Sequence, residues 1–219
     1  MDTILFGLFA AAYIGLAIWT IKIYKTERVI SAAFLVPVIL GLVYDNSIIA
    51  AGRFIGEGSF LQFLNALRYW YHAFFTPLLV LFSWKTLEQA NISWAKTKWL
   101  RWAAYLLTAA LVLLELFTEV FGMELEAAWD YGVLTYSNTA SSGGPPIMVL
   151  AVSVVLLAAS IIIWSKKKWI WFFLGSLVMA AGSAVQLPIE SGAITNLFEL
   201  ALLSSLAATA YFQRNREEV

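Results

Sequence analysis

Cysteine is absent from the chain and histidine occurs once, as His72. Without a thiol there is no disulfide, no thiolate metal site and no thiol nucleophile, and the redox compartment leaves no trace in the sequence. Charge is scarce too, at 13% of residues against about a quarter in soluble domains. Formal net charge is zero, and nucleic acid is not a partner that such an apolar chain suggests. The sequence holds no Gly-x-Ser-x-Gly elbow for a serine nucleophile and no phosphate-cradling glycine loop. One histidine among scattered carboxylates has no recognised ligand spacing, so no metal site is expected.

What is abundant is apolar surface. Hydrophobic residues make up 61% of the 219-residue chain, and mean hydropathy is +0.79. This is the composition of a multi-pass integral membrane protein, placed in the cell membrane with lipid as its surroundings. Seven apolar runs, about 3–23, 30–53, 61–83, 99–121, 147–165, 169–188 and 194–212, approach the roughly 20 residues that span a ~30 Å hydrocarbon core. The first follows Met1-Asp2 with no basic leader and no clear small-residue cleavage site, so it reads as a retained helix. The expected fold is all-α: a single seven-transmembrane-helix bundle over 1–219, compatible with a homo-oligomer.

Orientation follows from the basic residues. Lys22, Lys25, Arg28, Lys85, Lys96, Lys98, Arg101, Lys166, Lys167, Lys168, Arg214 and Arg216 flank one set of connections; of the fourteen basic residues only Arg53 and Arg68 are elsewhere, which leaves twelve. The positive-inside rule then puts the N-terminus outside and the C-terminus in the cytoplasm. Trp19, Trp84, Trp94, Trp99, Trp102, Trp164, Trp169 and Trp171 fall near that cytoplasmic boundary as an expected interfacial belt. The opposite side carries the long acidic loop 123–146. Its breaker-rich tail predicts an ordinary flexible loop, with a lid as the alternative and Gly132–Tyr136 able to form a short strand.

Within the apolar runs, ionisable residues mark candidate sites, because each costs a few kcal/mol unless it faces the bundle interior and finds a partner. In the third run Asn65, Arg68, Tyr69, His72 and Thr76 share one helical face, with Tyr71 about 60° to the side. The second run offers Gly41, Tyr44, Asp45, Ile48 and Gly52, with Asn46 beside them; the fourth offers Glu115 and Glu119 one turn apart. The sixth offers Gly175, Met179, Gly182 and Gln186, a small-residue face suited to close packing, and the seventh Asn196 and Glu199. Alternating chain direction brings all the ionisable groups into the outer half, above an apolar inner half. Four carboxylates facing Arg68 exceed what a low-dielectric site holds ionised, so charge balance predicts a proton on at least one. Glu119, close to the outer boundary, is expected to reach solvent.

The spacing of Arg68-Tyr69 from Thr76-Pro77-Leu78-Leu79, together with Leu35-Val36-Pro37 and Tyr44 in the second run, resembles the microbial rhodopsin family. The resemblance covers about a tenth of the chain. It implies a seven-helix scaffold, Arg68 as an extracellular gate or anchor, Tyr44 and Tyr69 as neighbours of a central cavity, and room for an elongated apolar molecule. Pro37 and Pro77 then shape their helices. The family's photochemistry does not carry over. All eight lysines lie in flanks or loops, and a turn beyond Glu199 stand Leu203 and Ser204, so covalent retinal is excluded and no other cofactor is expected. The family's proton-acceptor position falls on Tyr71, an adjacent aromatic on His72 and the cytoplasmic donor on Phe82, which excludes a light-driven proton pump.

The residues point first to a protein that binds, senses or helps transport a lipid-soluble or amphipathic small molecule. Its candidate ligand-binding residues are Tyr44, Asp45, Asn46, Asn65, Arg68, Tyr69, Tyr71, His72, Glu115, Gln186, Asn196 and Glu199. An intramembrane enzyme acting on a lipid or isoprenoid is the alternative, with Asp45, His72 and Glu115 as catalytic residues and a carboxyl group as general acid. Proton or cation translocation is a third reading, and it needs a route past the apolar inner half.

Overall fold

The computed structural model describes residues 2–140, 146–184 and 191–214. It is a mostly helical protein with the character of an integral membrane protein. Among the described residues five helices are long and apolar enough to cross a membrane: α1 (Asp2–Lys25), α2 (Ile30–Ile55), α5 (Lys98–Glu115, continued to Val120), α6 (Ile147–Lys167) and α8 (Gly192–Gln213). Three shorter helices complete the described set: α3 (Ser59–Phe75), α4 (Leu78–Gln89) and α7 (Trp171–Ala184).

The apolar pattern explains which faces turn inward. On α1 the buried residues Phe6, Ala10, Tyr13, Leu16, Ala17, Thr20 and Ile23 recur every three or four positions, the stripe one face of a helix presents. Ile4, Leu8 and Ile18 on the other face are 62–70% exposed, which suits lipid rather than water. The core runs through α1, α2, α4, α6, α7 and α8, centred on Tyr13, Leu35, Ile39, Phe82, Ile163, Phe172 and Leu206. Close α7–α8 packing uses the small residues of α7: a Cβ on Gly175 would lie 1.9 Å from Ser205 Oγ, and one on Gly182 would lie 2.2 Å from the Phe198 ring.

The apolar run expected as one helix over 61–83 is divided. Proline lacks the amide hydrogen that would continue the ladder, so α3 ends with Thr76 N donating to His72 O (3.1 Å). Leu79 N and Val80 N then bond to Thr76 O and Pro77 O, three residues back, and α4 continues to Gln89. Pro37, in contrast, lies within an unbroken α2. After Glu115 the fourth run widens into a π-helical turn, Leu116–Val120, closed by Phe121 N donating to Leu116 O at 2.7 Å, five residues back.

The acidic loop is not an ordinary flexible connection. Leu125–Asp130 (β1) and Val133–Asn138 (β2) pair antiparallel from Leu125↔Asn138 to Asp130↔Val133. Tyr131 and Gly132 join them with φ of 44° and 84°, the two-residue turn that matches strand twist. The hairpin is held at many points. Thr3 Oγ1 donates to Gly132 O (3.0 Å), Trp129 Nε1 to Glu57 Oε1 (3.0 Å), and Gly58 N to Tyr136 OH (2.9 Å). Leu134 and Tyr136 pack on Leu61, and Val133 packs with Phe6, Ile49 and Ala193. The residues Ser141–Pro145 of the loop tail lie outside the described residues, as do Gln186, Glu190 and Arg216.

The basic residues gather at the opposite end, where the chain is tied by polar contacts. Gln89 Oε1 accepts from Ser31 N (3.1 Å), Gln213 Nε2 donates to Thr86 O (2.8 Å), and Glu88 pairs with Lys85 and Arg101. Trp99, Trp102 and Trp171 are exposed there as an interfacial belt requires, but Trp84 is 7% exposed, its Nε1 bonded to Ala95 O at 3.0 Å. Trp84 is a core residue.

Hairpin docking depends on one glycine. A Cβ on Gly52 would stand 2.0 Å from Leu134 O, whereas Gly7 and Gly15 have nothing within 4 Å. Gly52→Ala is therefore expected to destabilise the protein by about 1–3 kcal/mol, as overpacking does, while Gly7→Ala leaves stability unchanged or higher. Thermal unfolding of the two variants in one detergent measures the difference.

Candidate functional site

Arg68 projects from α3 towards α2, where its Nε donates to Asp45 Oδ1 at 2.6 Å. Its Nη1 donates to Asn65 Oδ1 at 2.7 Å. Asn65 Oδ1 also accepts the backbone N–H of Tyr136 on β2 (3.2 Å), and Asn65 Nδ2 donates to Leu61 O. A single polar line thus runs from α2 through α3 into the hairpin. The Asp45 and Arg68 side chains are 25% and 19% exposed, so the pair is shielded and its hydrogen bond is charge-assisted.

Beside this pair lies a cavity of about 190 Å³. Asp45, Arg68, His72, Asn196 and Glu199 line its polar part, joined by Tyr71, Thr76 and Ser153. Val38, Leu79, Val152, Leu156, Leu202 and Leu203 supply apolar wall. Gly41 contributes by what it omits: a Cβ there would sit 3.0 Å from the Phe75 ring. Tyr71 is fixed by an edge contact with Tyr44 (4.9 Å between centroids) and by stacking on Phe75 (5.4 Å). His72 is half exposed; its Nδ1 shares a hydrogen bond with Thr76 Oγ1 (3.2 Å), and its Nε2 lies 3.8 Å from Glu115 Oε1.

Of the residues expected at the site, Asp45, Arg68, Tyr71, His72, Asn196 and Glu199 meet at the cavity. Five others do not line it. Tyr44 donates its hydroxyl to Leu64 O (3.0 Å), and Tyr69 OH accepts from Asn138 N (2.9 Å), so both hydroxyls brace backbone. Asn65 serves the hairpin, and Asn46 is fully buried with its Nδ2 on Leu42 O (2.9 Å). Glu115 reaches the His72 ring without joining the cavity wall. Gln186 lies outside the described residues. The α6 wall, Val149, Val152, Ser153 and Leu156, was not among the expected residues; that helix carries no ionisable residue before Lys166 and gives no polar stripe to read.

Of the three candidate catalytic groups, Asp45 and His72 line the cavity, Asp45 already engaged by Arg68, whereas Glu115 stands beside the His72 ring without lining it. No protein-family model, no curated protein and no solved structure matches the chain.

The Asp45–Arg68 pair should dominate local stability. Removing one partner of a shielded, hydrogen-bonded charge pair costs about 2–5 kcal/mol, because the other charge stays behind. Asp45→Asn and Arg68→Gln are each expected to lower the unfolding temperature, and the double variant to lose little more than either single one. A double-mutant cycle on thermal unfolding reads the coupling; additive losses would show that the two groups do not depend on each other.

Proposed function

We propose that the chain is a rhodopsin-like seven-helix protein of the cell membrane that binds a lipid-soluble or amphipathic small molecule, so as to sense it or help move it. The observation that carries this reading is the cavity itself: convergent polar groups at one part, apolar walls elsewhere, the form that small-molecule sites take. The seven spans are then the five long helices, the α3–α4 pair bent at Pro77, and α7. The hairpin then lies outside and the basic residues lie in the cytoplasm, in keeping with the positive-inside rule. The spacing of Arg68-Tyr69 and Thr76-Pro77 supports the rhodopsin-like arrangement, and the lysine positions keep retinal chemistry out of it. An enzymatic reading has less support because Asp45 is paired and Glu115 is apart from the cavity. Proton or cation movement has less because Val38, Leu79, Leu156 and Leu203 offer no polar route inward.

A cysteine-free chain makes the topology direct to test. Ser137→Cys, on the exposed edge of β2, is expected to react with a membrane-impermeant maleimide on intact cells. Lys96→Cys should react only after permeabilisation. Labelling of Lys96→Cys from outside would mean that α3 and α4 together do not cross the membrane.

Binding is tested by mass spectrometry of what co-purifies in mild detergent, with an absorption spectrum to detect a polyene. A bound small molecule is expected with the native chain and with Leu150→Trp, a change on an exposed position of α6. It should be lost in Leu156→Trp, which fills the cavity from the same helix. An empty native protein, whose cavity takes up no added amphiphile, would overturn the reading.

A further inference from the structure

The hydrogen-bonding capacity around the cavity is unevenly spent. Among the described residues Arg68 is its one permanent cation, and Asp45 matches that charge at 2.6 Å. His72 Nδ1 is engaged with Thr76. On α8 the position differs. Asn196 is 8% exposed, its Nδ2 donates to Gly192 O (3.2 Å), and its backbone carbonyl accepts from Tyr13 OH (3.1 Å). Its Oδ1 is buried with no hydrogen-bond partner among the described residues. Three residues on, one helical turn away, Glu199 also lines the cavity and forms no hydrogen bond or ion pair among the described residues. What the protein leaves over at the α8 wall is thus acceptor capacity, one amide oxygen and one carboxyl group.

A buried acceptor without a donor costs about 1–3 kcal/mol, and a carboxylate without a counter-charge costs more. A bound molecule that supplies both remedies gains most. An ammonium carries three donors, no acceptor and one positive charge. A carboxylate head would add like charge beside Glu199 and offer Asn196 nothing, while a hydroxyl would donate once and leave the charge unmatched. We propose that the ligand of this cavity is an amphipathic amine, its cationic head between Asn196 and Glu199 and its hydrocarbon part along Leu156, Leu202 and Leu203. This rests on the cavity being a ligand site and names the chemistry it selects.

The test compares dodecylamine, dodecanol and dodecanoate as probes of the full-length protein in nanodiscs at neutral pH, read by thermal stability and by titration. The cavity-filled Leu156→Trp variant subtracts effects of the amphiphiles on the bilayer. Dodecylamine is expected to raise the unfolding temperature of the native protein and not of Leu156→Trp, and to bind at least about tenfold more tightly than dodecanoate, the scale of a shielded charge contact. Glu199→Gln should erase most of that preference. A cavity-dependent effect that favours dodecanol or dodecanoate, or treats all three alike, would overturn the amine proposal and leave the ligand site standing. No cavity-dependent effect from any probe would remove both. The head-group comparison on the native chain decides the matter even if Glu199→Gln fails to fold.

Discussion

An arginine in the middle of an apolar helix has to be neutralised, and the way Arg68 meets that demand organises one end of the molecule. Its guanidinium presents donors in a fixed planar fork, so two acceptors must stand at set angles around it. Asp45 on α2 and Asn65 on its own helix take those places. Asn65, a full turn earlier on the same face, has a second lone pair, which it gives to the Tyr136 amide. One charge thereby fixes the facing of α2 and α3 and the seat of the hairpin. Gly52 completes the fit by letting the Leu134 carbonyl approach the α2 backbone where any side chain would stop it.

The cavity is a consequence of the same geometry. With α3 drawn to α2 near Asp45, the Pro77 break separates the direction of α3 from that of α4, and space remains between Tyr71, His72 and the apolar side of α6. Gly41 keeps a side chain out of it on α2. Each of these devices is small: one missing amide hydrogen, one missing Cβ, one ion pair. Together they leave a hollow whose polar groups come from α2, α3 and α8 and whose apolar wall comes from α2, α4, α6 and α8.

Much of the polar wall was legible in the sequence because ionisable groups within apolar runs have few places to go. Asp45, Arg68, His72 and Glu199 announced themselves by cost alone. The rest obeys rules that composition hides. The two tyrosines that the rhodopsin resemblance placed near the cavity turn their hydroxyls to backbone groups, Tyr44 to Leu64 and Tyr69 to Asn138; a hydroxyl's nearest unmet partner is a matter of tenths of an ångström. The 123–146 loop looked flexible from its charge and its breakers, yet Tyr131-Gly132 is a two-residue turn between residues of strand character, and Leu134 and Tyr136 bury themselves. The run 61–83 was long enough to be one helix by hydropathy, which does not register a missing hydrogen-bond donor at Pro77. The α6 wall could not be read at all, since apolar residues facing a cavity and apolar residues facing lipid are the same residues.

Unmet hydrogen bonds alone do not define a site in this protein. Ser31 Oγ, Thr86 Oγ1, Gln213 Oε1 and Asn46 Oδ1 are buried without partners among the described residues, just as Asn196 Oδ1 is. The first three belong to the cross-ties at the basic end, where Gln89 accepts from Ser31 N and Gln213 donates to Thr86 O, so the helices there are already bonded through other atoms of the same residues. Asn46 is packed inside α2 contacts with its amide on Leu42. None of these four borders the cavity. Asn196 differs because the residue that carries the unmet acceptor lines the cavity, with a carboxyl group one turn away on the same wall. In a medium with little water to repair such groups, it is the meeting of an acceptor, a carboxyl and a hollow that sets Asn196 apart from a residue of imperfect packing.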